Sequence, residues 1–215
     1  MEARYVIFDL DDTLVHSEAV RAAFGTVADE LGIAGSELAA VLDGMSGRPA
    51  VEIFMALGLT RAQARAAGER FLSLLGDLDE RLPAVPYPDA GPTLRALEAS
   101  GSTLMLSTGS SASRARAVLR DQGWDAFSLV LGSDGGSLKG GEHYRRIDAQ
   151  ASDGWLSQAA TVGDSPRDMR LGAEAGVPVR IAIDRDGDPR PLVEAGATHV
   201  VSSLADIIPI LAAAA

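Results

Sequence analysis

The sequence predicts an α/β protein in which a doubly wound parallel sheet is interrupted by an all-helical insert. Two observations support this fold class. Short apolar runs alternate with amphipathic stretches, which is typical of parallel strands buried between helices. The stretch 15–85 breaks this alternation, since it contains no convincing strand and has helical periodicity instead. We therefore expect a sheet-forming core of 1–14 and 86–215 and a helical insert of 15–85.

The predicted strands and helices follow one another in a regular order. Six apolar runs are predicted as strands: 5–8, 103–106, 129–131, 160–162, 179–183 and 199–201. Four amphipathic stretches are predicted as the helices between them: 93–99, 113–121, 142–150 and 167–175. One helical face of the insert is made of Val20, Phe24, Val27 and Leu31. Thr60 and Gln63 form the capping-box pattern of a helix that runs toward Leu82, where prolines end it.

The composition narrows the range of partners. The chain has 215 residues and a net charge of -11, which disfavours binding to nucleic acid and to anionic membrane surfaces. It contains no cysteine, so disulfides, thiolate metal sites and cysteine nucleophiles are excluded. No apolar run reaches the roughly 18 residues of a membrane-spanning helix, and acids interrupt the apolar N-terminal stretch early. We expect a cytoplasmic protein with no nucleic-acid or membrane partner.

Four segments with unusual polar residues follow predicted strands, and ligands collect at the carboxyl ends of such strands. The first segment is Asp9-Leu10-Asp11-Asp12-Thr13. Its clustered acids are costly unless a cation lies nearby. In an extended chain Asp9 and Asp11 point to the same side, so one carboxylate can attack phosphorus while the other handles protons. An acidic turn is the alternative for this segment taken alone.

The second and third segments supply groups that suit a phosphate. In Thr108-Gly109-Ser110 a hydroxyl and backbone N–H groups can donate to phosphate oxygens. Capping of the next helix is the alternative, and we expect Ser110 to be that cap. Lys139 lies in a glycine-rich loop and is the single lysine among 19 basic residues. Its position indicates a need for a compact point charge, with a solvated surface lysine as the alternative.

The fourth segment runs from Gly163 to Asp168 and opens a predicted helix. Ser165 is a plausible N-cap, Pro166 suits the first helical position, and Asp168 falls three residues after the cap. The interpretation as a helix start accounts for Asp168 as an acid in the first helical turn. It leaves Asp164, at the end of an apolar strand, without a structural role.

In this order, the four segments resemble the haloacid-dehalogenase superfamily, and the likeness covers nearly the whole chain. The similar motifs are Asp9-x-Asp11-x-Thr13, Thr108, Lys139 and Gly163-Asp164-Ser165-x-x-Asp168. The resemblance implies a Rossmann-like catalytic core of 1–14 and 86–215. The insert of 15–85 resembles the family's helical C1 cap.

The resemblance also implies a magnesium-dependent phosphatase that hydrolyses a small phosphorylated metabolite through an aspartyl-phosphate. Asp9 would be the nucleophile, and Asp11 would act first as the acid and then as the base. Mg²⁺ would be held by Asp9, the backbone carbonyl of Asp11, and Asp164. Asp168 and Thr13 would support that site from behind the ligands.

Substrate binding is assigned by the same resemblance. Thr108, Gly109 and Lys139 would bind the transferring phosphoryl group. Arg48 lies in a segment that resembles the cap loop over the active site, so it is a candidate for binding the rest of the substrate. A solvated arginine is the equal alternative for Arg48. His16 is a further candidate for contacting substrate, with a structural role as the alternative.

Two other functions remain open. A phosphomutase of the β-phosphoglucomutase type would keep the phosphoryl group on the enzyme and return it to a sugar. Arg21, where that branch has a histidine in its first cap helix, and the lack of a lysine in the cap both disfavour it. A receiver-type signalling module also combines acids, a threonine and a lysine on a parallel sheet, but it lacks a helical insert. Dehalogenation is disfavoured by Asp11, which dehalogenases lack.

Overall fold

The computed structural model describes residues 5–45, 48–133, 138–185 and 187–213. The strands of this part are β1 (Tyr5–Phe8), β2 (Val15–His16), β3 (Val85–Pro86), β4 (Thr103–Ser107), β5 (Phe127–Leu131), β6 (Ala159–Gly163), β7 (Val179–Ile183) and β8 (His199–Val201). Six of them form one sheet in the order β5-β4-β1-β6-β7-β8. Every neighbouring pair in that sheet is parallel. The short strands β2 and β3 pair with each other separately.

The helices of the described part follow the chain from the insert into the core. They are α1 (Glu18–Glu30), α2 (Gly35–Met45), α3 (Ala50–Ala56), α4 (Arg61–Arg81), α5 (Ala90–Ala99), α6 (Ala112–Asp121), α7 (Gly141–Asp148), α8 (Pro166–Glu174), α9 (Arg190–Glu194) and α10 (Ile207–Ala213). Single 3₁₀ turns occupy Trp155–Gln158 and Leu204–Asp206. None of these helices is both long and apolar enough to cross a membrane.

The chain divides into two compact units, Met1–Val15 with Pro86–Ala215, and His16–Val85. In the first unit the sheet is buried, because β1 and its neighbours are almost entirely apolar. One cluster of buried side chains includes Ile7, Met105, Leu131 and Trp155. A second cluster packs Met169 against Ala182 and Leu192. Burying a side chain of this size stabilises the fold by roughly 1.5–3 kcal/mol, so the strands that carry the site residues are held firmly.

The second unit is made of α1 to α4 around its own apolar core. Phe24 lies at its centre, with ring centroids 4.3 Å from Phe71 and 5.7 Å from Phe54. Gly68 lets α4 come close to α3, since a Cβ atom there would lie 2.9 Å from Cγ2 of Val51. This unit therefore has a core of its own.

The fold class predicted from the sequence is confirmed, and all six predicted strands of the main sheet are present. The capping box at Thr60 is also present, because Gln63 N–H donates to Thr60 Oγ1 at 3.4 Å and Thr60 N–H donates to Gln63 Oε1 at 3.0 Å. The predicted apolar face of the first insert helix is partly wrong. Leu31 lies after α1 and is 47% exposed, whereas alanines fill the buried face. The prediction counted only large apolar residues. The buried face of α1 also contains alanines, whose small side chains allow neighbouring helices to pack closely.

Candidate active site

Three strand ends bring polar side chains from distant parts of the chain together. Asp9 directly follows β1, Thr108 follows β4, and Asp164 follows β6. The parallel register aligns these ends, and the pairing extends one step further because Asp9 N–H donates to Val162 O at 2.9 Å. The carboxyl edge of the sheet around β1 is therefore the place where the unusual segments meet.

Lys139 is buried between two of the aspartates. Its Nζ lies 2.7 Å from Oδ1 of Asp9 and 2.6 Å from Oδ1 of Asp168. Burial alone would lower the pKa of Lys139, but the carboxylates of Asp168 and Asp9 raise it overall. The lysine is therefore a fixed positive charge beside Asp9.

The carboxylates of the cluster are crowded as well as buried. Burial raises the pKa of Asp9 to about 7, although the ammonium of Lys139 acts in the opposite direction. Burial and the negative charges of Asp9 and Asp168 raise the pKa of Asp164 well above its ordinary value. The single ammonium of Lys139 leaves this group of three carboxylates short of positive charge.

Oxygen atoms of Asp9, Asp164 and Asp168 lie within 4.8 Å of one another, close enough to share a metal ion. Carboxylate oxygens are the ligands that hard divalent cations prefer. A divalent cation would also supply the positive charge that the cluster lacks. The donor set and its charge therefore fit a divalent metal ion.

Asp168 uses both of its oxygens for contacts within the protein. Its Oδ1 faces Lys139, while its Oδ2 accepts from the Ser165 N–H at 3.2 Å and from Ser165 Oγ at 2.6 Å. Gly163 makes room for this arrangement, since a Cβ atom there would lie 2.4 Å from the Asp168 carboxyl carbon. The predicted cap at Ser165 is present as a full capping box. Asp168 thus takes part in the capping box of α8 and also contacts Lys139.

Asp164 and Asp11 are held by different partners. The hydroxyl of Thr13 donates to Oδ1 of Asp164 at 3.0 Å. Asp11 instead contacts α6 and the segment before it. Ser110 Oγ, just before α6, donates to Asp11 Oδ2 at 2.7 Å, and Nη1 of Arg114 on α6 lies 2.9 Å from Asp11 Oδ1. Asp9 and Asp11 therefore face different cations.

The expectation that Ser110 caps the helix after β4 is wrong. The N-cap of α6 is Ser111, whose Oγ accepts from Arg114 N–H at 3.2 Å. Ser110 lies one residue too early for this bond, and its hydroxyl donates to Asp11 instead. Neighbouring serines at 110 and 111 made the cap ambiguous in the sequence.

Ser133 joins the two segments that were predicted to bind phosphate. Its Oγ donates to Thr108 O at 3.0 Å and accepts from Lys139 N–H at 2.8 Å. Its N–H donates to Ser110 O at 2.7 Å. Arg167 holds the other side of the lysine, because its Nη2 donates to Lys139 O at 2.6 Å. The backbone around Lys139 is therefore held from both sides.

His143 lies beneath these loops and is fully buried. Its Nδ1 lies 2.8 Å from Ser107 Oγ, and its Nε2 lies 3.2 Å from Gly132 O. Burial lowers its pKa to about 4, and the nearby charge of Lys139 acts in the same direction. The neutral imidazole links β4 to the loop after β5.

Arg114, Ser133 and His143 were not predicted from the sequence. Arg114 could have been found from its spacing, because it falls on the same helical face as Val118. In the structure it is 8% exposed. An arginine within an apolar stripe needs a buried acid as partner. His143 gave a similar signal through its spacing from the buried Ile147. Ser133 gave none, since a serine after a strand is common in loops.

Of the remaining predicted residues, two belong to the unit of His16–Val85, and one lies beside Thr108. Arg48 lies in the helical unit, where its Nη1 is 2.9 Å from Oε2 of Glu52. His16 ends β2 and belongs to the same unit. Gly109 lies between Thr108 and Ser110. Of the predicted cap loop around Arg48, Ser46 and Gly47 lie outside the described residues, as does Ser137 before Lys139.

Comparison with known proteins shows the family to which this chain belongs. Residues 3–176 match the family model of the haloacid dehalogenase-like hydrolases. A phosphoglycolate phosphatase from Rhodospirillum rubrum is 33% identical over 216 residues, which cover 94% of this chain and 88% of the relative. The chain therefore belongs to the haloacid dehalogenase-like hydrolase family, in its phosphatase branch.

Solved structures share the fold at lower identity. A protein from Clostridium acetobutylicum described as a predicted phosphatase superimposes with a TM-score of 0.87 at 19% identity, covering 98% of this chain and 99% of that one. A predicted phosphoglycolate phosphatase from Haemophilus somnus gives a TM-score of 0.77 at 21% identity, with 98% of each chain covered. At these identities the likeness concerns the fold alone.

Proposed function

We propose that the protein hydrolyses a small phosphomonoester through an aspartyl-phosphate on Asp9. The observation that carries this proposal is the placement of Asp9 at the end of β1, beside Lys139 and within the carboxylate cluster. A buried carboxylate next to a fixed ammonium is suited to attack a phosphoryl group whose negative charge the ammonium partly neutralises. Membership in the phosphatase branch supports the same chemistry.

Mg²⁺ is the metal that this proposal requires. Asp9, Asp164 and the backbone carbonyl of Asp11 would hold it, with Asp168 and Thr13 fixing the ligands. The contacts support this division, since both oxygens of Asp168 already have protein partners and Thr13 donates to Asp164. When bound, the ion would neutralise charge on the phosphoryl oxygens, which is the main demand of phosphoryl transfer.

The first half of the reaction moves the phosphoryl group to the enzyme. An oxygen of Asp9 forms a bond to phosphorus as the bond from phosphorus to the ester oxygen breaks. Protonated Asp11 gives its proton to that ester oxygen, so the product leaves as an alcohol. Lys139 and Thr108 bind the phosphoryl oxygens during the transfer.

The second half returns the enzyme to its starting state. Asp11, now a carboxylate, takes a proton from a water molecule that attacks phosphorus. The bond between phosphorus and the Asp9 oxygen breaks, which releases inorganic phosphate and restores both side chains. The proton that Asp11 gave in the first half is thus recovered from water in the second.

The substrate is a small phosphorylated metabolite, and phosphoglycolate is the first candidate because a relative of 33% identity bears that name. We propose that residues 15–85 form the cap that selects it, with Arg48 and His16 as candidate contacts. The core of 1–14 and 86–215 would carry the chemistry. Sugar phosphates and p-nitrophenyl phosphate complete the panel of substrates to be compared.

The test is phosphate release from this panel with Mg²⁺, by the wild type and by Asp9→Asn. The variant keeps the size of the side chain but loses the nucleophile, so we expect its activity to fall by a factor of about 10³ or more. Asp121→Asn is the matched control, because Asp121 ends α6 on the exposed surface. Equal activity of Asp9→Asn and the control would remove Asp9 from this role. Transfer of phosphate between positions of a sugar without its release would identify a mutase instead.

A further inference from the structure

Arg114 is a buried arginine that no motif assigned, and its Nη1 contacts both carboxylate oxygens of Asp11. Its side chain is 7% exposed, and it lies 103 residues away from Asp11 in the sequence. The single atom Nη1 is 2.9 Å from Asp11 Oδ1, 3.1 Å from Asp11 Oδ2 and 3.1 Å from Ser110 Oγ. A buried charge is costly without a partner, so a guanidinium in this place implies a specific use.

The side chains of Asp11, Ser110 and Arg114 contact one another. Ser110 Oγ donates to Asp11 Oδ2 at 2.7 Å while accepting from Arg114 Nη1. The guanidinium thus fixes both the carboxylate and the hydroxyl that binds it. The backbone of Arg114 is fixed in turn by the bond from its N–H to Ser111 Oγ at the start of α6. Asp11 therefore takes its orientation from α6, whereas Asp9 takes its orientation from Lys139.

We propose that Arg114 is a positioning residue that aims Asp11 at the ester oxygen, with Ser110 as its relay. This proposal rests on the proposed function, in which Asp11 donates a proton to the leaving group. A short acid on a loop can rotate about two side-chain bonds, and proton transfer requires it within hydrogen-bond reach of the ester oxygen. The contacts of Arg114 Nη1 to Asp11 and Ser110 restrict that rotation.

Leaving-group dependence separates this role from a merely structural one. A good leaving group departs without a proton, whereas a poor one depends on the acid. Substituted phenyl phosphates, from p-nitrophenyl to p-methoxyphenyl, vary the leaving group with little change in shape. Their kcat/KM reports the steps up to loss of the phenol, so it excludes the later hydrolysis of the phosphoenzyme.

The variants are Arg114→Met, Arg114→Lys, Ser110→Ala and Asp11→Asn, with Arg116→Met as the matched control. Arg116 lies on the same helix, but its Nη2 bonds only to a backbone carbonyl, Val130 O, among the contacts described for it. We expect Arg114→Met to lower kcat/KM for the poorest leaving group at least about tenfold more than for p-nitrophenyl phosphate, as Asp11→Asn does. Ser110→Ala should shift the series in the same direction by a smaller factor.

Compared with Arg114→Met, Arg114→Lys should regain much of the activity on poor leaving groups, because a single nitrogen, Nη1, contacts Asp11 and Ser110 and an ammonium can replace it. An equal loss across the series in Arg114→Met and Ser110→Ala, beside a leaving-group-dependent loss in Asp11→Asn, would overturn the positioning role and leave the proposed function intact. An equal loss in Asp11→Asn itself would overturn both. If Arg114→Met does not fold, the outcome is decided by Ser110→Ala and Arg114→Lys.

Discussion

Lys139 shows that a residue type that is rare in a chain can indicate a specific role. The chain uses arginine for 18 of its 19 basic residues, yet lysine stands beside Asp9. The structure explains this choice in terms of size. A compact ammonium reaches Asp9 and Asp168 at 2.7 and 2.6 Å from a single atom, which a planar guanidinium cannot do in the same space.

Burial should protect Lys139 from chemical modification in the native protein. Acetylating reagents attack the neutral amine, and the two aspartates raise the pKa of this lysine while burial denies access. We expect such a reagent to modify Lys139 only after unfolding in urea. Mass spectrometry of the digested protein measures the modified fraction at Lys139. Equal rates of modification in the native and the urea-unfolded protein would show that Lys139 is exposed and is not held by Asp9.

His143 should make stability depend on pH below neutrality. Its folded pKa of about 4 lies below the unfolded value of 6.5, so the unfolded state binds the proton more readily. The contribution of neutral His143 to the free energy of unfolding is therefore fully present above pH 6.5 and is lost as the pH falls toward 4. By pH 5 the loss should be about 2 kcal/mol at 1.36 kcal/mol per unit.

The measurement is the free energy of urea unfolding at pH 7 and pH 5 for the wild type and for His143→Gln. Other titrating groups, Asp9 among them, cancel when the two proteins are compared. We expect the wild type to lose about 2 kcal/mol more than the variant between these pH values. Parallel losses would mean that His143 titrates normally and is not held between Ser107 and Gly132.

At the level of secondary structure, the start of α6 must come very close to the loop after β5. A Cβ atom on Gly132 would lie 2.0 Å from the backbone nitrogen of Ala112. A clash with backbone cannot be relieved by rotating a side chain. This close approach keeps Thr108, Ser110 and Ser133 in contact with one another.

Gly132→Ala should therefore destabilise the protein by about 1–3 kcal/mol or more. Gly76→Ala is the matched control, since Gly76 is exposed on α4 and a Cβ atom there would meet nothing within 4 Å. The control should be stabilising by about 0.5–1 kcal/mol, because alanine favours a helix interior. Urea unfolding compares the two. A Gly132→Ala protein as stable as the control would show that α6 does not press against this loop.

For the molecule as a whole, metal binding should appear as stability even without substrate. The cluster of Asp9, Asp164 and Asp168 has more negative charge than Lys139 neutralises, so a cation that binds only the folded state stabilises that state. At a concentration of Mg²⁺ 100 times the Kd, the gain should be about 2.7 kcal/mol. Chelator should remove the gain.

Variants of the cluster distinguish the residues that bind the metal from those that hold the binding residues in place. Asp164→Ala should lose most of the gain at the same Mg²⁺ concentration, and Asp168→Ala should lose less, because Asp168 already binds Lys139 and Ser165. Asp121→Asn serves again as the surface control. Thermal or urea unfolding with titrated Mg²⁺ measures all three. An equal metal dependence of Asp164→Ala and Asp168→Ala would contradict this division.

The sequence was informative where the chemistry is local. Asp9 and Thr108 follow apolar runs that became strands, and the rule that strand ends converge was enough to expect them near each other. The bonds to Arg114 and Ser133 could not be predicted in this way. They join residues 103 and 25 positions apart, and they depend on how closely α6 packs on the loops rather than on any short pattern.

Phosphorylation of Asp9 during turnover is tested most directly by trapping it. Asp11→Asn should slow hydrolysis of the phosphoenzyme, because the second half of the reaction needs Asp11 as its base. This variant, mixed with substrate and Mg²⁺, should therefore accumulate the aspartyl-phosphate, which a borohydride quench then reduces. Borohydride reduces an aspartyl-phosphate to homoserine, and we expect mass spectrometry to find homoserine at position 9 and only when substrate is present. Active wild-type enzyme whose Asp9 is never converted, with phosphate found on another side chain, would contradict the mechanism.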